Sequence, residues 1–275
     1  MPRAVIFVSG TGTNAQKAIE QRKTWEPAVI VTDVKRCPAA ALAEKFALPL
    51  VEFDIADFYR ENGEDKVSLR TDRGRELREM WTEQLRQKLQ DYQFDFGLLA
   101  GFASLSNITD DFPCLNVHPG DLTVENDQRE RLLTGLHAIP IEKAILMGHK
   151  FLRSSVILAL PYSDDGGDMD SGLILGVSQP VPVDLQGHSL EQLAELKAGR
   201  IKGRKPEDAL RQIAQDNQES LKIDGDWVVF PPVVNDFAAG LFSLDDTAIV
   251  YCMNNENLRV KTVEYGSSGK ITPIK

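Results

Sequence analysis

Apolar positions in the first half of the chain fall into short unbroken runs, each closed by polar or turn residues and followed by helix-like spacing. Residues 4–8, AVIFV, are such a run, and its continuity predicts a strand buried on both faces. SGTGTN follows, then AQKAIEQ, which predicts a helix. PAVIVTD (27–33) and LPLVEF (48–53) predict two more strands, separated by a helix over 37–47 with Pro38 near its first turn. From Asp72, apolar residues at Leu77, Met80, Trp81, Leu85 and Leu89 predict an amphipathic helix with one face on the sheet. FDFGLLAGF (94–102) and CLNVH (114–118) predict the fourth and fifth strands.

This alternation implies a parallel sheet with right-handed crossovers. Residues 135–148 predict a helix interrupted or started by Pro140, and 154–162 and 171–183 predict two strands antiparallel to each other. SLEQLAEL and PEDALRQIAQDNQESL supply two later helices. Residues 54–72, charged and without clear period, predict an irregular surface insertion. In the tail, DWVVF, TAIVYCM and LRVKTVEYG predict small strands or a hairpin. No internal repeat or low-complexity linker interrupts the pattern. The expected fold is therefore α/β, a Rossmann-like, mostly parallel sheet with helices on both faces. It forms a single domain over 1–275, with a core at about 1–183 and a C-terminal helical and β extension at 184–275.

Composition narrows the function. With 42% hydrophobic and 26% charged residues the chain has the balance of a soluble globular protein. A net charge of −10 disfavours a nucleic-acid surface but leaves room for a local anion site. Three scattered cysteines, with no CxxC pair or Cys/His cluster, argue against a metal centre or a disulfide framework. No stretch is long enough for a membrane span or secretory signal, so a cytoplasmic protein acting on small molecules, monomer or homodimer, is expected.

The first glycine loop, Gly10-Thr11-Gly12-Thr13-Asn14, lies between a strand and a helix, where free helix-start N–H groups favour an anion. It also satisfies the GxGxxA form of the dinucleotide fingerprint, with Asp33 placed for a ribose. Yet no Tyr-x-x-x-Lys pair for hydride transfer is present, and a plain tight turn without ligand is a further alternative.

In CLNVHPGDL (114–122), Asn116 and His118 share one side of a strand that Pro119 and Gly120 stop. The pair suits either two catalytic polar groups or a solvated strand end. SDDGGDMDSGLIL (163–175) offers Asp164, Asp165, Asp168 and Asp170 on a glycine-rich loop that lacks calcium-loop spacing. A carboxylate from it beside His118 would hold and orient the imidazole for proton transfer, and Asn116 could donate to an oxygen gaining charge. No serine or cysteine stands in a nucleophile elbow, which favours direct acyl transfer to an amine or water.

Four ordered segments, SGTGTN, LLAGF, LNVHP and DMDSGLIL, resemble the folate-dependent formyltransferases, the glycinamide ribonucleotide (GAR) transformylases most closely. The resemblance spans most of 1–183, with weaker echoes at QES (218–220) and GLFSLDD. It implies Asn116, His118 and Asp170 as the catalytic trio, and Gly10, Thr11, Gly12, Thr13 and Asn14 as a cradle for a substrate phosphate. It further implies 10-formyltetrahydrofolate as formyl donor, against Leu99, Ala100, Gly101, Phe102, Ala103, Ser104 and Leu105 and against Asp165, Gly166 and Gly167. His137 matches the family's GLH, and Glu219 a glutamate that touches ribose. The chain departs from the family at Ala103–Ser106, where Met-Arg-Ile-Leu is usual, at Asp121, and in a longer 54–75 segment. Formyl transfer to a phosphorylated amine is the leading expectation. A formyltetrahydrofolate hydrolase, an NAD-dependent oxidoreductase and a non-catalytic binding protein are the alternatives.

Overall fold

The computed structural model describes residues 1–104, 106–162, 168–201, 203–245 and 248–275. The chain begins β1 (Arg3–Phe7), α1 (Thr13–Glu20), β2 (Glu26–Thr32), α2 (Ala39–Phe46), β3 (Leu50–Glu52). It continues α3 (Ile55–Glu61), α4 (Asp72–Leu89), β4 (Phe96–Leu99), β5 (Cys114–His118), α5 (Ile139–Leu146). Next come β6 (Phe151–Leu152), β7 (Ser155–Ala159), β8 (Ile174–Ser178), β9 (Val181–Pro182), α6 (Leu190–Ala198) and α7 (Ala209–Leu221). The chain ends with α8 (Trp227–Ala238), β10 (Phe242–Asp245), β11 (Ala248–Met253), β12 (Glu256–Val260), β13 (Thr262–Tyr265) and β14 (Ile271–Ile274).

The main sheet runs β14-β13-β8-β7-β5-β4-β1-β2-β3. From β5 through β4, β1 and β2 to β3 every pairing is parallel; β7 is antiparallel to both β5 and β8. The apolar run of β1 divides by parity. Ala4, Ile6 and Val8 pack with α1, α2 and α8, while Val5 and Phe7 pack with α3 and α4. Both faces are covered, which is why the run has no polar alternation. After β3 the chain returns to the other side of β1, so strand order reverses between β1 and β4. A crevice for ligands opens at the carboxyl ends of strands at such a reversal.

Helix α4 shows how covering works. Thr71 caps it, its hydroxyl accepting from the Gly74 N–H at 3.0 Å. Leu77, Trp81, Leu85 and Leu89, one turn apart, lie against the sheet, and Trp81 stacks on Phe53 at 5.4 Å. Burying each such side chain contributes roughly 2–3 kcal/mol. Met80, expected on that face, instead points outward and is 39% exposed.

Several segments differ from the sequence pattern. Residues 171–183, expected as one strand, divide between β8 in the main sheet and β9, which pairs with β6. Within 54–72, α3 is a helix: Asp54 accepts from the Asp57 N–H at 2.8 Å, and Ile55, Phe58 and Tyr59 take helical spacing into the core. DWVVF opens α8 rather than a strand, because Val229, Phe230, Val233 and Val234 bury one helical face against the sheet. Tertiary burial there overrides the strand preference of valine and tryptophan. LRVKTVEYG divides between two sheets, β12 pairing with β11 while β13 joins the main sheet beside β8. The extension thus supplies part of the central sheet and its covering helix.

Candidate active site

Strand β5 carries Asn116 opposite Leu99 of β4 and Ile157 of β7, and His118 opposite Ser155. Beyond His118 the backbone turns at once, the Gly120 N–H donating to the His118 carbonyl at 2.9 Å. His118 is 3% exposed, and its Nε2 lies 2.8 Å from the Leu133 carbonyl oxygen. A carbonyl only accepts, so the ring proton of neutral His118 sits on Nε2 and leaves Nδ1 as the basic nitrogen. Nδ1 is 3.5 Å from Asp170 Oδ1. Burial lowers the His118 pKa; Asp170 and the Leu133 carbonyl act against that, while Arg131 and Lys143 reinforce it. The group is a neutral base whose protonated form would gain a carboxylate partner.

Asp170 stands on a single 3-10 turn, Asp168–Ser171, with its side chain 22% exposed. Arg131 holds this turn by its backbone, donating to the carbonyls of Asp170 and of Gly172, the latter at 2.8 Å. Asn116, half-buried, lines the same cavity, of about 560 Å³, as His118 and Asp170.

The loop 10–14 lines the same cavity. Gly12, at φ 70°, is the N-cap of α1 and brings no side-chain cap. The first N–H groups of the helix therefore lack intrahelical acceptors and can meet an anion. Asn14 is engaged otherwise: its amide donates to Asp226 at 2.8 Å, and its oxygen accepts from the Trp227 indole at 3.0 Å. Asp226 also accepts from Ser154 at 2.5 Å, and burial pushes its pKa up to about 6 against the pull of these bonds. It ends a π-helical turn, Lys222–Asp226, that joins α7 to α8. No motif in the sequence marks this residue, whose local signal is an aspartate before an apolar run. Glu219 and Lys222 pair at the cavity's edge, and exposed His137, at φ 55°, lines another part of it.

Ala100, Gly101, Phe102 and Ala103 form the wall after β4. Leu99 and Ser104, expected beside them, do not line the cavity. Leu99 points into the core, and Ser104, 7% exposed, donates to Asp33. Leu105, Asp165, Gly166 and Gly167 lie outside the described residues. Asp33 is itself buried, accepts from Ser104, and its pKa is raised by burial. The acid required by a dinucleotide site therefore faces inward, bracing the segment after the wall through Ser104, while the Ser9 hydroxyl accepts from the Ala103 N–H at 2.7 Å. Among the described residues no group of three His, Cys, Asp or Glu is placed to hold a metal, and no helix is long and apolar enough to cross a membrane.

No protein-family model matches the chain, and no curated protein sequence does. Solved structures do. Glycinamide ribonucleotide transformylase 1 from Symbiobacterium toebii superposes with a TM-score of 0.57 at 21% identity, over 90% of this chain and 93% of that one. Phosphoribosylglycinamide formyltransferase from Coxiella burnetii, in complex with CHES, gives 0.59 at 16% identity, over 96% and 99%. The Anaplasma phagocytophilum formyltransferase gives 0.57 at 17%, over 93% and 96%. Along nearly its whole length, this chain has the fold of the phosphoribosylglycinamide formyltransferases.

Proposed function

We propose that the protein transfers a formyl group from a reduced-folate donor, 10-formyltetrahydrofolate, to the amine of a small phosphorylated acceptor such as glycinamide ribonucleotide. The observation that carries this reading is the 3.5 Å approach of His118 Nδ1 to Asp170 Oδ1 in a cavity shared with Asn116 and the glycine loop. The similarity to formyltransferase structures supports it.

The cavity fits such a donor: about 560 Å³, walled by the small residues Ala100, Gly101 and Ala103 and by the Phe102 segment. A bound donor supplies an electrophilic formyl carbon. The chain's own residues then have separate tasks. Asn116 donates an N–H to the oxygen that gains negative charge. His118 accepts the amine's proton at Nδ1 and returns it to the folate nitrogen as the bond between that nitrogen and the formyl carbon breaks, and Asp170 stabilises the imidazolium between the two transfers. Residues 10–13 and the start of α1 hold the acceptor's phosphate. The test is formyl transfer from 10-formyltetrahydrofolate to GAR, with His118→Ala as control. We expect turnover in the native protein and a loss of 10²-fold or more, roughly, in the variant. Formate release without acceptor would make water the nucleophile; no turnover with either would refute the proposal.

A further inference from the structure

We propose that Arg131 is a positioning residue for the His118–Asp170 pair, gripping the turn that carries Asp170 and setting the electrostatics of the imidazole beside it. This rests on the pair's being the reacting one. The connection between β5 and α5 brings two residues, Arg131 and Leu133, against the two members of the pair. The Leu133 carbonyl accepts from His118 Nε2 at 2.8 Å, while Arg131 donates to the Asp170 and Gly172 carbonyls. One short segment thereby holds both sides of the 3.5 Å gap.

The segment has its own supports. Residues 125 and 131 form an antiparallel bridge, and the Asn126 N–H donates to the Glu130 carbonyl at 3.0 Å, closing a tight turn. Lys143, reaching from α5, donates to the Thr134 carbonyl at 2.8 Å. Room for the approach comes from Gly120: a Cβ there would lie 2.6 Å from the Leu133 oxygen and 3.0 Å from His118 Nε2. Against this frame Arg131 is a cross-brace. Its planar guanidinium places two donors in a fixed fork, which suits two carbonyls in one turn better than a lysine would.

Charge adds a second effect. Among the described residues, charged groups act on the imidazole in both directions: Asp170 favours its protonation, while Arg131 and Lys143 oppose it. Removing the guanidinium therefore both loosens the turn and makes His118 easier to protonate. A merely structural role would change stability without raising the titration midpoint of His118.

Two variants separate the effects. Arg131→Met keeps an apolar stem and loses both charge and fork; Arg131→Lys keeps charge and loses the fork. The His118 ring is followed by NMR titration, its signal assigned by its absence in His118→Ala, with thermal melting as the check on folding. Formyl transfer from 10-formyltetrahydrofolate to GAR is measured alongside. We expect Arg131→Met to move the His118 midpoint upward and to lower kcat on the order of 10²-fold, with KM for the donor little changed. Arg131→Lys keeps the charge but frees the turn that carries Asp170, so kcat should fall and the midpoint should not rise. If Arg131→Met does not fold, Arg131→Gln replaces it, with the same upward shift expected. A folded neutral variant with an unmoved midpoint overturns the inference. Absence of turnover in the native protein would refute the proposed function instead, and the NMR measurement would still decide the role of Arg131.

Discussion

Asp226 offers the sharpest quantitative test, because its cost to the fold and its place in the site have the same cause. The side chain is 7% exposed, and its carboxylate accepts from Asn14 at 2.8 Å and Ser154 at 2.5 Å. Burial lifts its pKa to about 6 from an ordinary 3.8, net of those bonds. A gap of roughly 2 units, at about 1.4 kcal/mol each, makes the charged form about 3 kcal/mol less favourable in the folded than in the unfolded chain. The sign follows from proton counting. Between about 4 and 6 the folded state holds a proton that the unfolded state has lost, so stability falls as pH rises through that window. Above about 6 the full cost is present; below about 4 it is absent. Asp226→Asn removes the charge, and the new amide can offer its oxygen to Asn14 and an N–H to the Ser154 hydroxyl. The variant should therefore be more stable than the native chain at pH 8, by up to about 3 kcal/mol, and the gain should shrink toward pH 4.5. Urea unfolding of both proteins at the two pH values measures this. Equal stability differences at pH 8 and pH 4.5, or a variant weaker at pH 8, would refute the reasoning. The same substitution takes a negative charge from beneath the glycine loop, so phosphate affinity at pH 8 should rise with stability.

Two further outcomes are expected. Asn116→Ala should lower kcat for formyl transfer by about 10²–10³-fold with a smaller effect on KM, as for loss of one oxyanion donor, and steady-state kinetics would show it. Trp81→Ala should cost about 3–5 kcal/mol in denaturant unfolding. Because Trp81 also stacks near Phe102 at 6.5 Å, the cavity wall should loosen, and donor KM should rise more than kcat falls.

Much of the fold was legible because its signals are local. Continuous apolar runs marked strands buried on two faces, and the four-residue spacing of Leu77, Trp81 and Leu85 marked α4. The helical spacing of Ile55, Phe58 and Tyr59 was present too, but charged neighbours hid it. For α8 the local signal pointed the wrong way. Valines that favour strands lie in a helix because the sheet face beneath needed covering, and no neighbour in sequence carries that information.

The site divides along the same line. Two-residue spacing at a strand end, stopped by Pro119, by itself put Asn116 and His118 on one side of the sheet; backbone geometry requires it. Which carboxylate meets the imidazole follows from no such local geometry, and only the family resemblance singles out Asp170 in the sequence. Four aspartates between 164 and 170 share one loop and one chemistry, and only folding brings Asp170 Oδ1 to 3.5 Å from Nδ1. The same holds for the Arg131 brace, for the burial of Asp226 under Asn14, and for the inward turn of Asp33. Strand parity is set by each residue's own covalent geometry, whereas these encounters depend on long-range packing that no short window of sequence contains.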